Sequence, residues 1–142
     1  MDQNFGPAHE FLFFAYEAKG SFEEAIAERQ SVATLYGRES QEVALKRTAA
    51  LSEGYAKARG QGYWQKRLEQ TLEDARDGYV PPFDIAAIYA RWGEKDKAFE
   101  WADKAYNERD EGLLHINETT AFDGLRSDPR FVDLVRRVRL PR

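Results

Sequence analysis

The feature that most constrains this chain is a pattern that occurs twice: a tyrosine, a glycine four residues later, and an alanine five residues after the glycine. The six positions are Tyr16, Gly20, Ala25, Tyr89, Gly93 and Ala98. Glycine ends helices readily because it adopts the left-handed conformation without a steric penalty. A small residue soon afterwards lets a second helix approach the first closely. The pattern therefore predicts two helical hairpins that share one register.

Hydrophobic periodicity on both sides of these turns indicates helices. Between Pro82 and Trp92 the apolar residues recur at spacings of three and four, and the same spacing continues from Ala98 to Tyr106. No segment alternates apolar and polar residues for long, as a half-buried strand would. We predict the two hairpins at residues 5–37 and 79–109.

Residues 40–78, which lie between these hairpins, are predicted to form a third. One helix is indicated by Val43, Leu45, Leu51 and Tyr55, and another by Trp64, Leu68, Leu72 and Ala75. The two are predicted to join around Gly60-Gln61-Gly62. If Gly60 is equated with Gly20, the expected tyrosine becomes Ala56 and the expected alanine becomes Gln65. Helicity and length, rather than the motif, therefore support this hairpin.

The spacing of tyrosine, glycine and alanine resembles the tetratricopeptide repeat. In that repeat a large residue fills the groove between paired helices, glycine ends the first helix, and alanine allows close approach of the second. The resemblance implies an all-α fold, an α-solenoid of about three helical hairpins with a C-terminal capping helix. It implies a single domain over residues 1–142, with the capping segment at residues 118–139.

The C-terminal segment carries the signals of a helix start. Asp128 is predicted to be an N-cap, with Pro129 at the first helical position, where a missing N–H group costs nothing. Residues 122–131 resemble the ends of large bacterial proteins in which tetratricopeptide repeats follow a serine/threonine kinase, adenylyl cyclase or winged-helix domain. The resemblance implies a regulatory or scaffold region of a bacterial signalling or transcription protein, located in the cytoplasm.

Composition excludes several kinds of partner. The chain has 21 Lys and Arg against 25 Asp and Glu, a net charge of −4, so it has no general attraction for nucleic acid or anionic lipid. It has no cysteine, and no apolar run approaches the roughly 18 residues of a membrane helix. Arginines make the last segment locally positive, which we interpret as a charged cap on the solenoid. We expect neither a nucleic acid nor a membrane partner.

The sequence offers little material for catalysis or metal binding. His9 and His115 are the only histidines, and neither has a partner at metal-ligand spacing. The acidic cluster of Glu108, Asp110 and Glu111 is interpreted as helix faces and caps, because it lacks apolar neighbours that would raise a carboxylate pKa. We therefore expect no enzyme activity, no cofactor and no metal site.

The candidate contact residues lie on the first helix of each pair, which lines the concave face of a tetratricopeptide array. They are Phe11, Phe14, Arg47, Lys57, Asp84 and Arg91. We predict an interaction module that binds a protein, a peptide or an adjoining domain of the same chain. The alternative is a small-molecule sensor attached to a kinase or transcription regulator, with a pocket lined by Tyr79, Phe83, Trp92 or Trp101.

Phe11 and Phe14 are the strongest of these candidates. Apolar residues surround the first helix, and a first hairpin has no preceding one to cover both rings. A contiguous apolar patch on a soluble chain usually marks an interface. Its cover is either a symmetric partner chain, which gives a homodimer through the N-terminal helix, or a preceding domain. The alternative is a distorted first hairpin that buries every ring, because Phe13 occupies the place of the small Ala86.

Overall fold

A computed structural model describes residues 6–35 and 40–140. Within these two ranges the chain is helical and contains no strand, as the periodicity predicts. It groups into two compact units, Met1–Lys66 and Arg67–Arg142, and we treat each unit by itself. None of the helices in the described ranges is long and apolar enough to cross a membrane.

The first unit begins with the predicted hairpin, formed by α1 (Gly6–Lys19) and α2 (Phe22–Leu35). Gly20 between them has a φ of 77°. The N–H group of Ser21 donates to the carbonyl oxygen of Tyr16 at 2.9 Å. This bond and the left-handed glycine form a Schellman motif, which satisfies carbonyl groups left open at the end of a helix.

The second unit contains the matching hairpin, formed by α4 (Pro82–Trp92) and α5 (Lys95–Asn107). Gly93 has a φ of 91°, and the N–H group of Glu94 donates to the carbonyl oxygen of Tyr89 at 2.9 Å. These are the same two features, at the same offsets, as in the first hairpin. The shared register predicted from tyrosine and glycine is confirmed.

The alanines of the two patterns, Ala25 and Ala98, are both completely buried. We expect Ala25→Leu and Ala98→Leu each to lower the free energy of unfolding by about 1–3 kcal/mol, because added methylene groups overpack a close helix contact. Ala27→Leu is the control, since Ala27 is an exposed residue of α2. Urea denaturation measures all three. Midpoints of both buried variants equal to that of the parent chain would contradict the shared register.

The middle helix, α3 (Gln41–Asp77), is broken where Ala58 and Arg59 leave the helical conformation. The prediction that two helices meet around Gly60-Gln61-Gly62 is therefore displaced by about two residues. The reason is a close approach of the two halves of α3. A Cβ atom added at Gly54 would lie 2.5 Å from the carbonyl oxygen of Gly62. At the break itself the positive φ of 55° belongs to Arg59.

An aromatic cluster packs the α1–α2 hairpin against α3 in the first unit. The ring of Phe22 lies 5.5 Å from Tyr55, 4.7 Å from Tyr63 and 6.0 Å from Trp64. The hydroxyl group of the fully buried Tyr63 donates to the Glu17 carboxylate at 2.5 Å. A buried carboxylate is stable only with such a partner, so this bond joins α1 to α3.

The second unit ends in two 3₁₀ helices, Glu111–Glu118 and Thr120–Leu125, followed by α6 (Pro129–Arg139). The Asp128 side chain accepts a hydrogen bond from the Arg130 N–H group at 2.9 Å. The predicted start of the last helix is thus confirmed, whereas the 3₁₀ helices were not predicted. Phe122, on the second of them, is fully buried and its ring lies 5.5 Å from that of Phe83 in α4.

Asp110 fastens the start of α4 to the first 3₁₀ helix. One carboxylate oxygen accepts from the N–H group of Phe83 and the other from that of Gly112, each at 2.9 Å. Gly112 itself lies against the Phe83 ring, where an added Cβ atom would come within 2.6 Å of a ring carbon. The interpretation of this acidic cluster as containing helix caps therefore holds for Asp110.

Candidate functional site

The main candidate is a stripe of exposed apolar residues on α1, which we call the α1 stripe. It consists of Pro7, Phe11, Phe14 and Ala18, all exposed. Their spacing of four, three and four residues places them within an arc of about 60° on a helix of 3.6 residues per turn. Phe11 is 73% exposed and Phe14 is 52% exposed. Two large aromatic side chains therefore face away from the unit's own core.

The opposite side of α1 holds the helix in place. Phe13 is buried, and a nitrogen of the His9 ring lies 2.6 Å from the Glu28 carboxylate of α2. The Phe14 ring rests against that of Phe13, with centroids 5.1 Å apart. The distorted hairpin in which every ring is buried does not occur. Phe13 is buried at the register position that Ala86 occupies in the second hairpin, whereas Phe11 and Phe14 are exposed to solvent.

The four charged candidates are spread over two helices. Arg47 is half-buried and Lys57 is exposed, both in α3, whereas exposed Asp84 and half-buried Arg91 lie on one face of α4. Arg91 donates to the Thr120 hydroxyl group at 3.1 Å, so it contributes to the packing of the second unit. Of the six predicted contact residues, the structure brings together Phe11 and Phe14 in the α1 stripe.

The carboxyl group of Asp84 has neighbours within its own unit. Partial removal from water raises its pKa, and the Asp110 carboxylate adds to this effect, while the Arg67 guanidinium opposes it. Asp110 is already committed to two backbone N–H groups. The Asp84 carboxyl group is therefore coupled electrostatically to the carboxylate that binds the N–H group of Phe83.

The four aromatic residues predicted to line a small-molecule pocket lie in different environments. Phe83 is in the core, Tyr79 is exposed, and the Trp92 ring stacks on Tyr89 at 6.2 Å. Trp101 is half-buried, with the Lys104 ammonium group 4.6 Å from its ring. The cavity described next is lined by none of the four.

A second surface, which we call the α6 groove, lies on the second unit and was not predicted. It has a volume of about 410 Å³. Its lining residues are Asn117, Arg126, Phe131, Val132, Val135, Arg136, Arg139 and Leu140. Val132 is 61% exposed and Leu140 is 54% exposed. The sequence signal was Val132, an apolar residue outside the buried face of α6, but the groove also needs Asn117 and Arg126 from the 3₁₀ region.

The terminal arginines join α6 to α5 through two similar clusters seven residues apart. Arg130 pairs with Asp96 at 2.8 Å and with Asp128 at 3.0 Å. Arg137 pairs with Asp103 at 2.8 Å and with Asp133 at 2.9 Å. The Arg130 side chain also lowers the pKa of the Asp128 carboxyl group through their hydrogen bonds. Much of the positive charge predicted for this segment is therefore neutralised by ion pairs within the unit.

The His115 ring is an exposed neighbour of Glu118, at 3.6 Å. Across residues 6–35 and 40–140, no group of three His, Asp or Glu side chains is placed to hold a metal ion.

Comparisons with protein families, with curated proteins and with solved structures give no significant match. The assignment to the tetratricopeptide family therefore stays a prediction.

Proposed function

We propose that this chain is a non-catalytic interaction module whose contact surface is the α1 stripe. The observation that carries the proposal is the exposure of Phe11 and Phe14 on one side of a helix whose other side is packed. Burying a side chain of this size is worth about 1.5–3 kcal/mol relative to leaving it in water. A stripe with two such rings therefore favours association with another apolar surface.

The partner that fits the α1 stripe best is a second copy of the chain. Pro7 and Ala18 lie equally far from the midpoint of the stripe, and so do Phe11 and Phe14. An antiparallel pair with two-fold symmetry would thus place Phe11 of each copy opposite Phe14 of the other, and Pro7 opposite Ala18. The stripe itself contains no charged residue.

The size of the stripe sets the expected strength of this dimer. Four aromatic rings that are only partly exposed bury on the order of 500 Å² in total. Stable dimers usually bury at least about 1,200 Å². We therefore expect reversible association with a dissociation constant of about 10–100 μM, which is about 5.5–7 kcal/mol of binding free energy.

Sedimentation velocity over a range of concentrations tests this proposal. We expect the weight-average mass of the parent protein in solution to rise with concentration. The Phe11→Glu/Phe14→Glu variant should stay monomeric, because dimerisation would bury four carboxylates. The control is Val43→Glu/Leu45→Glu, which changes two exposed apolar residues of α3 in the same unit. It should associate as the parent does.

Thermal unfolding of the same variants separates an interface from a core. Because Phe11 and Phe14 are exposed, the double variant should retain the monomer's unfolding free energy to within about 1 kcal/mol. The proposal would be contradicted if the parent chain were monomeric at every concentration and the double variant unfolded readily. Both rings would then be core residues.

We further propose that the module regulates a larger bacterial signalling or transcription protein in the cytoplasm. The resemblance of residues 122–131 to the ends of such proteins supports this role. The full reading frame of the gene tests it. A kinase, cyclase or winged-helix segment in the same frame would agree, and an unrelated metabolic enzyme in that frame would contradict it.

A further inference from the structure

We propose that the α6 groove is a second docking surface, and that it accepts an acidic amphipathic helix from a partner protein. The groove belongs to the second unit, whereas the α1 stripe belongs to the first, so the two proposals stand independently. Three features of the groove indicate this partner: its apolar floor, its length and its arginine rim.

The floor of the groove is apolar and accessible. Phe131 is buried beneath it, while Val132 and Leu140 expose more than half of their surface. From Phe131 to Leu140 the chain advances about 14 Å at 1.5 Å per helical residue. This length matches two to three turns of a docked helix, which would place one or two apolar side chains on the valines.

The rim of the groove is positive. Arg126, Arg136 and Arg139 line it, and no carboxylate is among its lining residues. Outside the lining, Arg126 pairs with Asp123 at 2.9 Å and Arg136 pairs with Asp133 at 2.7 Å. Arg139 has no ion-pair partner in the described part of the chain. A helix that carries glutamate or aspartate beside its apolar residues would therefore complement both the floor and the rim.

Arg126 is already held in position. Its Nε donates to Asp123 at 3.0 Å, one Nη donates to the carbonyl oxygen of Asn117 at 2.8 Å, and its guanidinium lies 5.5 Å from the centre of the Phe131 ring. A side chain fixed in this way loses little conformational entropy when a ligand binds. The remaining N–H groups of the guanidinium can donate to a carboxylate.

The apolar floor distinguishes this partner from nucleic acid. A phosphate backbone would use the arginines but leave Val132, Val135 and Leu140 without apolar contacts. The observations therefore favour an acidic helix.

The test is an NMR titration of the ¹⁵N-labelled full chain with a twelve-residue helical peptide. The peptide carries two leucines one turn apart, flanked by glutamates, and its counterpart has every glutamate replaced by glutamine. We expect saturable shifts at the amide groups of Val132, Val135 and Leu140. The glutamine peptide should bind about tenfold more weakly, and the difference should shrink as salt screens the charges.

Two variants locate the binding. Val132→Glu/Arg139→Glu should abolish the shifts, whereas Leu114→Glu, which changes an exposed leucine of the same unit outside the groove, should leave them intact. Circular dichroism confirms that both variants are folded. The Phe11→Glu/Phe14→Glu variant should bind the peptide as the parent does, which separates this test from that of the α1 stripe.

Three results would overturn the proposal. These are shifts that map to residues outside the groove, equal affinity for the glutamate and glutamine peptides, and saturable binding of a single-stranded oligonucleotide at α6 without binding of the peptide. The last would identify the arginine rim as a phosphate site.

Discussion

Gly62→Ala is expected to lower the free energy of unfolding of the first unit by about 3–5 kcal/mol. A Cβ atom at this position would meet the carbonyl oxygen of Gly54 and lie 2.6 Å from its carbonyl carbon. Alanine in a helix gains about 1 kcal/mol over glycine from its intrinsic propensity. The clash outweighs that gain because backbone atoms cannot rotate aside, so the two halves of α3 must separate.

Two other glycines provide the controls for this variant. Gly124→Ala adds a Cβ atom that has no neighbour within 4 Å, so it should change stability by less than about 1 kcal/mol. Gly60→Ala would place the Cβ atom 3.2 Å from the Phe22 ring, a side chain that can shift, and its effect should be intermediate. Urea denaturation followed by circular dichroism measures all three. A Gly62→Ala midpoint at or above that of Gly124→Ala would contradict the close approach.

Asp110→Ala is the second large effect, an expected loss of about 2–4 kcal/mol from the second unit. The carboxylate accepts from the N–H groups of Phe83 and Gly112, and hydrogen bonds to a charged group are worth about 1.5–3 kcal/mol each. Their effects do not add fully, because both bonds share one carboxylate. Without them the start of α4 and the first 3₁₀ helix lose their common anchor.

Glu111→Ala is the matched control for Asp110→Ala. It removes a carboxylate from the adjacent position, but that side chain is exposed. Its expected effect is within about 0.5 kcal/mol of zero. Asp110→Asn should fall between the two, because the amide keeps one acceptor oxygen. Urea denaturation measures these variants. Equal midpoints for Asp110→Ala and Glu111→Ala would show that the two hydrogen bonds do not stabilise the unit.

The parts of the fold that were predictable from sequence depend on local signals. Gly20 and Gly93 end their helices because the left-handed conformation suits glycine, and Asp128 with Pro129 starts α6 because of their capping chemistry. Each of these signals lies within a few residues of the structure that it determines. The same locality made the exposure of Phe11 predictable from the apolar residues around α1.

The parts that were missed depend on contacts between distant residues. Gly62 was interpreted as a turn residue, but its role is the approach to Gly54, which no local pattern reveals. The 3₁₀ helices at residues 111–125 are too short to show a hydrophobic period, and Asp110 organises them through Phe83, 27 residues away. The α6 groove was missed for the same reason, because its lining residues come from separate elements.

Disulfide trapping of the α1 stripe tests the central claim most directly, because the chain contains no cysteine. In the antiparallel dimer Pro7 of one copy lies opposite Ala18 of the other. The two copies of Pro7 lie about 16 Å apart along this dimer, as do the two copies of Ala18, which is too far for a disulfide between identical positions. Single variants Pro7→Cys and Ala18→Cys, mixed and mildly oxidised, should form a mixed disulfide dimer faster than either variant forms a dimer alone. Equal rates in all three samples would contradict the proposed pairing.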